Sequence, residues 1–147
     1  MNAKANDAIA LLISEHREVN ELFKQFEELG DRAKAKKKKI VDAVCTALTV
    51  HAQIEEEIFY PAVRASVKDA DDLVDEAAVE HASAKDLIAQ LKSMSPSDDL
   101  YDAKVAVLGE YIEHHVKQEE TEMFVMVKNT KLDLQRLGQH SGSHDAA

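Results

Sequence analysis

Four histidines and two glutamates carry the chemistry of this chain. His16, His51, His81 and His115 each sit in a helical apolar stripe where an apolar residue is expected. Glu55 and Glu119 follow His51 and His115 by four residues, a separation that puts both side chains on one helix face, one turn apart. The order repeats. His16 precedes His51 by 35 residues and His81 precedes His115 by 34; His51-Ala-Gln-Ile-Glu-Glu returns 64 residues later as His115-Val-Lys-Gln-Glu-Glu. The chain therefore reads as two copies of a helical hairpin. An ionised carboxylate facing an apolar core costs several kcal/mol unless paired. The four stripes contain no Lys or Arg. A metal cation supplies the missing charge; a cation-free network of hydrogen-bonded His and Glu is the plainer alternative. Imidazole and carboxylate without thiolate suit iron, manganese or zinc. Two carboxylates among four histidines suit two metals better than one, each metal taking two His and two bridging carboxylate oxygens. Open positions remain for water, an oxo or hydroxo bridge, or a small diatomic or peroxide ligand.

These residues need four helices to bring them to one level. The breakers mark out segments of about Asn6–Leu29, Ala33–Ser66, Asp69–Ser93 and Ser97–Lys128. Asn6 or Asp7 caps the first, and Ser97 or Asp98 the fourth. The second stripe runs through Ile40, Val44, Leu48, His51, Glu55, Ile58 and Ala62, and Pro61 predicts a kink or break near Phe59–Pro61. The fourth stripe runs through Val105, Leu108, Ile112, His115, Glu119 and Met126. Leu132–Leu137 adds a short fifth helix ending at Gly138. The expectation is an all-α, up-down-up-down four-helix bundle over residues 1–138 with a disordered tail at 139–147. At about 1.5 Å per residue, all six side chains fall within roughly a turn of the same height.

Composition excludes other classes. Only six of 147 residues are Gly or Pro, too few for the turns of a sandwich or barrel. A net charge of −10 and 5% aromatics with no Trp disfavour nucleic acid as a partner. No run approaches the ~18 apolar residues of a membrane span and no signal-peptide pattern is seen. The single Cys45 fits a reducing compartment, so a cytoplasmic location is expected. The run Lys36–Lys39 reads as a solvated face.

With His16, His51-Ala-Gln-Ile-Glu55-Glu56, Phe59-Tyr60-Pro61, His81 and His115-Val-Lys-Gln-Glu119-Glu120, the sequence resembles the hemerythrin-like, or HHE cation-binding, family from about Ile9 to Gly138. The resemblance implies a four-helix bundle around two non-haem iron ions, in place of manganese or zinc. It also implies reactivity with O₂, peroxide or nitric oxide, as an oxidoreductase or as a reversible storage or sensor module, with an electron donor that the sequence does not identify. Two departures separate the chain from the oxygen carriers. Lys85 stands four residues after His81, where the carriers have a further histidine, and Glu119 replaces an Asp placed five residues after a His. His114 rivals His115 as the ligand; the internal repeat favours His115. Tyr111, one turn before His115, is either a packing residue or one that approaches the metals. Cys45 reads as a small buried hydrophobe, Glu56 and Glu120 as outer-face or supporting acids, and His140 and His144 as solvated tail residues.

Overall fold

A computed structural model describes residues 7–128 together with Arg136 and Gly138. Its elements are α1 (Ala8–Glu27), α2 (Lys34–Ile54), a π turn (Glu55–Phe59), α3 (Tyr60–Ser66), α4 (Asp71–Lys92), α5 (Tyr101–Gln118), a second π turn (Glu119–Met123) and α6 (Phe124–Lys128). The two π turns join α2 to α3 and α5 to α6 without a break, so the described residues form four long rods. The rod α1 packs against α2, and α4 against α5, as two helical hairpins; α2–α4 and α1–α5 contacts close the ring. This is the up-down-up-down bundle that the short connections imply. Arg136 and Gly138 lie in helical backbone. The rest of the expected fifth helix, and the tail at 139–147, fall outside the described residues.

Local chemistry sets the helix ends. Asp7 caps α1, its extended backbone letting the carboxylate accept the Ala10 N–H at 2.7 Å. Before α4 the chain turns through Asp69 at φ +68°, a left-handed conformation that Asp tolerates better than most residues. The fourth rod begins at Tyr101, later than the expected Ser97 or Asp98. Asp98 is used inside the preceding loop instead: its side chain accepts the Ser95 N–H at 2.8 Å and its carbonyl the Tyr101 N–H at 3.1 Å.

The π turns are the main departure from the expected periodicity. Each closes with an N–H five residues on: Tyr60 donates to the Glu55 carbonyl and Phe124 to that of Glu119. One extra residue in a turn rotates everything beyond it by about 100°. Beyond the first turn the buried face is therefore Phe59, Tyr60 and Val63, and beyond the second Met123, Phe124 and Val127. Ile58, Ala62 and Met126, the expected positions, are only half-buried. Pro61 does not cause the turn, because the second copy has Val125 at the matching position and makes the same turn.

Two apolar clusters result. One gathers Leu12, Ile54, Phe59, Val63, Val74 and Phe124, and the other Val19, Val41, Val44, Leu91, Tyr101 and Leu108. Burying each large side chain contributes about 1.5–3 kcal/mol. The His and Glu layer lies between the clusters. Lys37 corrects the solvated reading of Lys36–Lys39. It is 2% exposed, its ammonium 2.9 Å from Asp102 Oδ2 and 5.5 Å from the centre of the Phe26 ring. Cys45 is buried, as expected.

Candidate metal centre

The bundle brings His16, His51, Glu55, His81, His115 and Glu119 into one buried layer, none more than 7% exposed. Their ligating atoms form two groups: His16, His51, Glu55 and Glu119, and Glu55, His81 and His115, with the atoms of each group within 4.8 Å of one another. The Oε1 atom of Glu55 sits centrally, 3.3 Å from His51 Nε2, 3.0 Å from His81 Nε2 and 3.4 Å from His115 Nε2. Glu119 spans the groups, Oε1 at 3.1 Å from His16 Nε2 and Oε2 at 3.1 Å from His115 Nε2.

Four atoms of this layer, His16 Nε2, His51 Nε2, Glu55 Oε2 and Glu119 Oε1, are buried and make no hydrogen bond among the described residues. Native interiors leave few such groups unpaired. His16 Nε2 and Glu119 Oε1 come within 3.1 Å yet are not aligned to bond. Both instead converge on the same small volume. A hydrogen-bonded network would have satisfied them; a cation in that volume does so directly. The donor set thus fits metal ions and answers the cation-free alternative.

The other ring nitrogen of each histidine is held by a carboxylate. Nδ1 of His16 pairs with Glu120 at 2.8 Å, His51 with Glu15 at 2.7 Å, His81 with Glu56 at 2.8 Å and His115 with Glu80 at 3.0 Å. A carboxylate only accepts, so Nδ1 carries the proton and Nε2 presents its lone pair inward. The pairs alternate between copies: each first-helix His uses a Glu from the other copy, and each second-helix His uses one from its own. Electrostatics follow the same plan. Burial opposes charge on His51, but Glu55 and Glu15 outweigh it and its pKa is pushed up to about 10. Burial likewise opposes charge on His115, while Glu119 and Glu55 push it up to about 12. Burial would raise Glu55, but His51, Glu119 and His115 hold it well below the usual carboxylate range. The layer calls for positive charge, which cations deliver by displacing protons.

Tyr60 completes one side. Its hydroxyl donates to Glu119 Oε2 and lies 3.4 Å from His81 Nε2 and 3.3 Å from His115 Nε2. Burial, then Glu55 and Glu119, hold its pKa well above the usual phenol value, so the phenol stays protonated. Tyr111 is instead 45% exposed. His115 faces the centre, whereas His114 is an exposed side chain that bonds Glu80 at 2.9 Å.

The model of the hemerythrin HHE cation-binding domain matches residues 7–127. This chain belongs to the hemerythrin HHE cation-binding family. A crystal structure of an HHE cation-binding domain-containing protein from Mycobacterium kansasii is similar in fold, with a TM-score of 0.79 and 24% identity over 95% of this chain and 86% of that one. A DNA nickase from Nostoc sp. is 32% identical over 115 residues, 78% of this chain. The HHE chain spans only 32% of that relative's length.

Sequence reasoning named the six inward residues and suspected Glu56 and Glu120; it missed Glu15, Glu80 and Tyr60. The signal for the first two was present, since Glu-His occurs at 15–16 and again at 80–81. Tyr60 was hidden by the π turn, which alone rotates it inward. No described helix is long and apolar enough to cross a membrane.

Proposed function

We propose that this HHE domain is a non-haem di-iron protein that binds or reacts with O₂, peroxide or nitric oxide at His16, His51, Glu55, His81, His115 and Glu119, in a response to oxidative or nitrosative stress. One observation carries the reading: four buried, unbonded ligand atoms converge within a donor set of imidazole and carboxylate that suits iron. His16 and His51 would hold one ion, His81 and His115 the other, with Glu55 and Glu119 reaching both. Two ferrous ions bound there would supply two electrons to a peroxide or O₂. The chain's own part is geometric and protonic. The four Glu–His pairs fix ring orientation. The apolar clusters on either side keep bulk water from the two ends of the layer. Tyr60 holds a proton at its hydroxyl beside Glu119, within reach of a ligand arriving between His81 and His115.

Lys85 supports turnover over simple carriage. It occupies the position of a further ligand in the carriers and is instead bound to Glu56 at 2.6 Å, leaving fewer protein donors and more open positions. Reversible binding of O₂ or nitric oxide, for storage or sensing, is the second reading. Nicking of DNA is not carried over from the much longer Nostoc protein, because a chain of net charge −10 repels phosphates. Metal analysis and the optical spectrum of the oxidised protein test the centre. The reaction is tested by peroxide consumption of the iron-loaded protein against His51→Ala. About two irons per chain and a rate lost in the variant are expected; equal rates sink turnover. Full recovery of the starting spectrum after O₂ is purged favours the second reading.

A further inference from the structure

The histidine layer forms the floor of a cavity of about 310 Å³. Above the floor its walls are Val19, Leu48, Ala84, Ile88, Ile112 and Val116, all buried or half-buried apolar residues. Its rim carries the exposed residues Thr49 and Gln53 of α2 and Lys85, Ala89 and Lys92 of α4. It therefore opens on the seam between the two hairpins. Along α4 the lining runs from His81 to Lys92, eleven residues, or about 16 Å of helix rise.

This volume is out of scale with the ligands of the proposed reaction. O₂, nitric oxide and peroxide are close to water in size, and a water takes about 30 Å³ of liquid. Protein interiors close-pack and keep few gaps larger than one water, and an open apolar pocket of this size leaves its walls without the dispersion contacts of a packed core. An apolar cavity of about 150 Å³ already holds a benzene. One twice as large and drawn out along three turns of helix fits a chain on the order of ten to fourteen non-hydrogen atoms. The charges at the rim are positive. Lys85 is engaged by Glu56, while Lys92 makes no ion pair among the described residues and lines the far end. The acids that line the cavity, Glu15 and Glu80, are bound to His51 and His115 at the floor.

We propose that the cavity binds an apolar-chain anion, a medium-chain carboxylate, with its tail toward the histidine layer and its head at Lys92. The cavity shares its histidine floor with the proposed metal centre, but its apolar walls and Lys92 do not depend on the redox reading.

Calorimetric titration of decanoate into the iron-loaded 147-residue protein tests it. Saturable one-site binding is expected. Ala84→Phe, which fills the wall, should weaken it at least tenfold; if that variant melts as an unfolded chain, Ala52→Leu on the opposite wall takes its place. Lys92→Glu should weaken decanoate severalfold but leave 1-decanol unchanged, and decanoate should not shift the iron absorption bands. Absence of saturable binding, or affinity indifferent to the filled wall, overturns the site. A shifted iron spectrum with indifference to Lys92→Glu puts the head on the metal and overturns the orientation. Binding without any reaction toward peroxide or O₂ would remove the function proposed above and leave this site intact.

Discussion

The two hairpins make the same frame and furnish it differently. Superimposed by sequence, Glu15-His16 matches Glu80-His81, and His51 with Glu55-Glu56 matches His115 with Glu119-Glu120. Even the ring spacings agree: His16 and His51 centroids are 4.8 Å apart, His81 and His115 4.9 Å. Yet Tyr60 answers to Phe124, Lys85 to Asn20 and His114 to Val50. The phenol, the ammonium and the additional imidazole of those pairs all gather at the His81–His115 end, where the Tyr60 hydroxyl, the Lys85–Glu56 pair and the His114–Glu80 pair meet it. At the other end Phe124 lies parallel to His16, its ring centre 6.0 Å away. The frame repeats because each hairpin supplies two inward imidazoles and one inward carboxylate to the shared layer. The surroundings differ because one position faces a proton-bearing hydroxyl and the other an apolar ring. Equivalent ligands therefore do not make equivalent sites.

The largest effect should come from the two carboxylates, whose roles are less alike than their motifs. Glu55 reaches three histidines across both halves, whereas Glu119 reaches two and Tyr60. Glu55→Gln should abolish binding of both cations, taking the content from about two per chain to near none. Glu119→Gln should retain more, because the His51, His81 and His115 contacts to Glu55 survive. Elemental analysis of the two variants after iron loading decides. Equal losses would mean that the central placement of Glu55 carries no weight.

Next in size, and a test of likeness, are the paired acids. Glu15→Ala and Glu80→Ala each remove the acceptor that orients an inward-facing imidazole, which should cost about 10–100-fold in metal affinity, or about 1.4–2.8 kcal/mol. The two costs should agree within a few-fold, measured by competition with a chelator. Lys85 should make Glu56 differ from Glu120: Glu56→Gln also strands Lys85, whose ammonium, with burial opposing, helps hold the Glu56 pKa low.

How much of this was legible in the sequence follows from which distances are local. Helical spacing along one rod exposed His51 with Glu55 and His115 with Glu119, and the repeat distinguished His115 from its exposed neighbour His114. Four capped or interrupted segments and short loops implied the bundle. Contacts between rods were not readable. Glu15 meets His51 and Glu120 meets His16 only after the rods pack. The π turns were hidden because periodicity analysis assumes an unbroken 3.6-residue turn, and with them went the inward face of Tyr60. Lys37 was misread because a run of four lysines signals solvent, while its burial depends on Asp102, 65 residues away.

Exchanging the aromatic pair attacks the contrast directly. Tyr60→Phe should leave the cation content unchanged but alter the optical spectrum and slow any proton-dependent reaction, because the hydroxyl beside Glu119 is lost. It frees one acceptor of Glu119, at a stability cost of about 1 kcal/mol. Phe124→Tyr should not create the converse, since the His16 face offers its ring only stacking. Spectra of the two loaded variants that shift alike would erase the distinction between the ends.

The smallest effect concerns a pair remote from the metals. By the same spacing of 64 residues, Tyr101 answers to Lys37. Both are buried polar residues at the start of a second helix, but Lys37 has Asp102 while the Tyr101 hydroxyl is fully buried with no partner among the described residues. Removing an unpaired buried hydroxyl relieves a desolvation penalty, so Tyr101→Phe should be neutral or stabilising by about 1 kcal/mol. Lys37→Met should cost little, because Asp102 is left in solvent and not as a buried charge. Burial pushes the Tyr101 pKa up to about 12, against an ordinary value near 10. A folded-state pKa raised in this way contributes stability that is complete below pH 10 and is lost as the pH climbs toward 12, because the unfolded phenol ionises first. Denaturant melts of the loaded protein across pH 9 to 12 should therefore fall less steeply for Tyr101→Phe than for the parent. Parallel curves would mean that the Tyr101 phenol ionises as readily in the fold as in water.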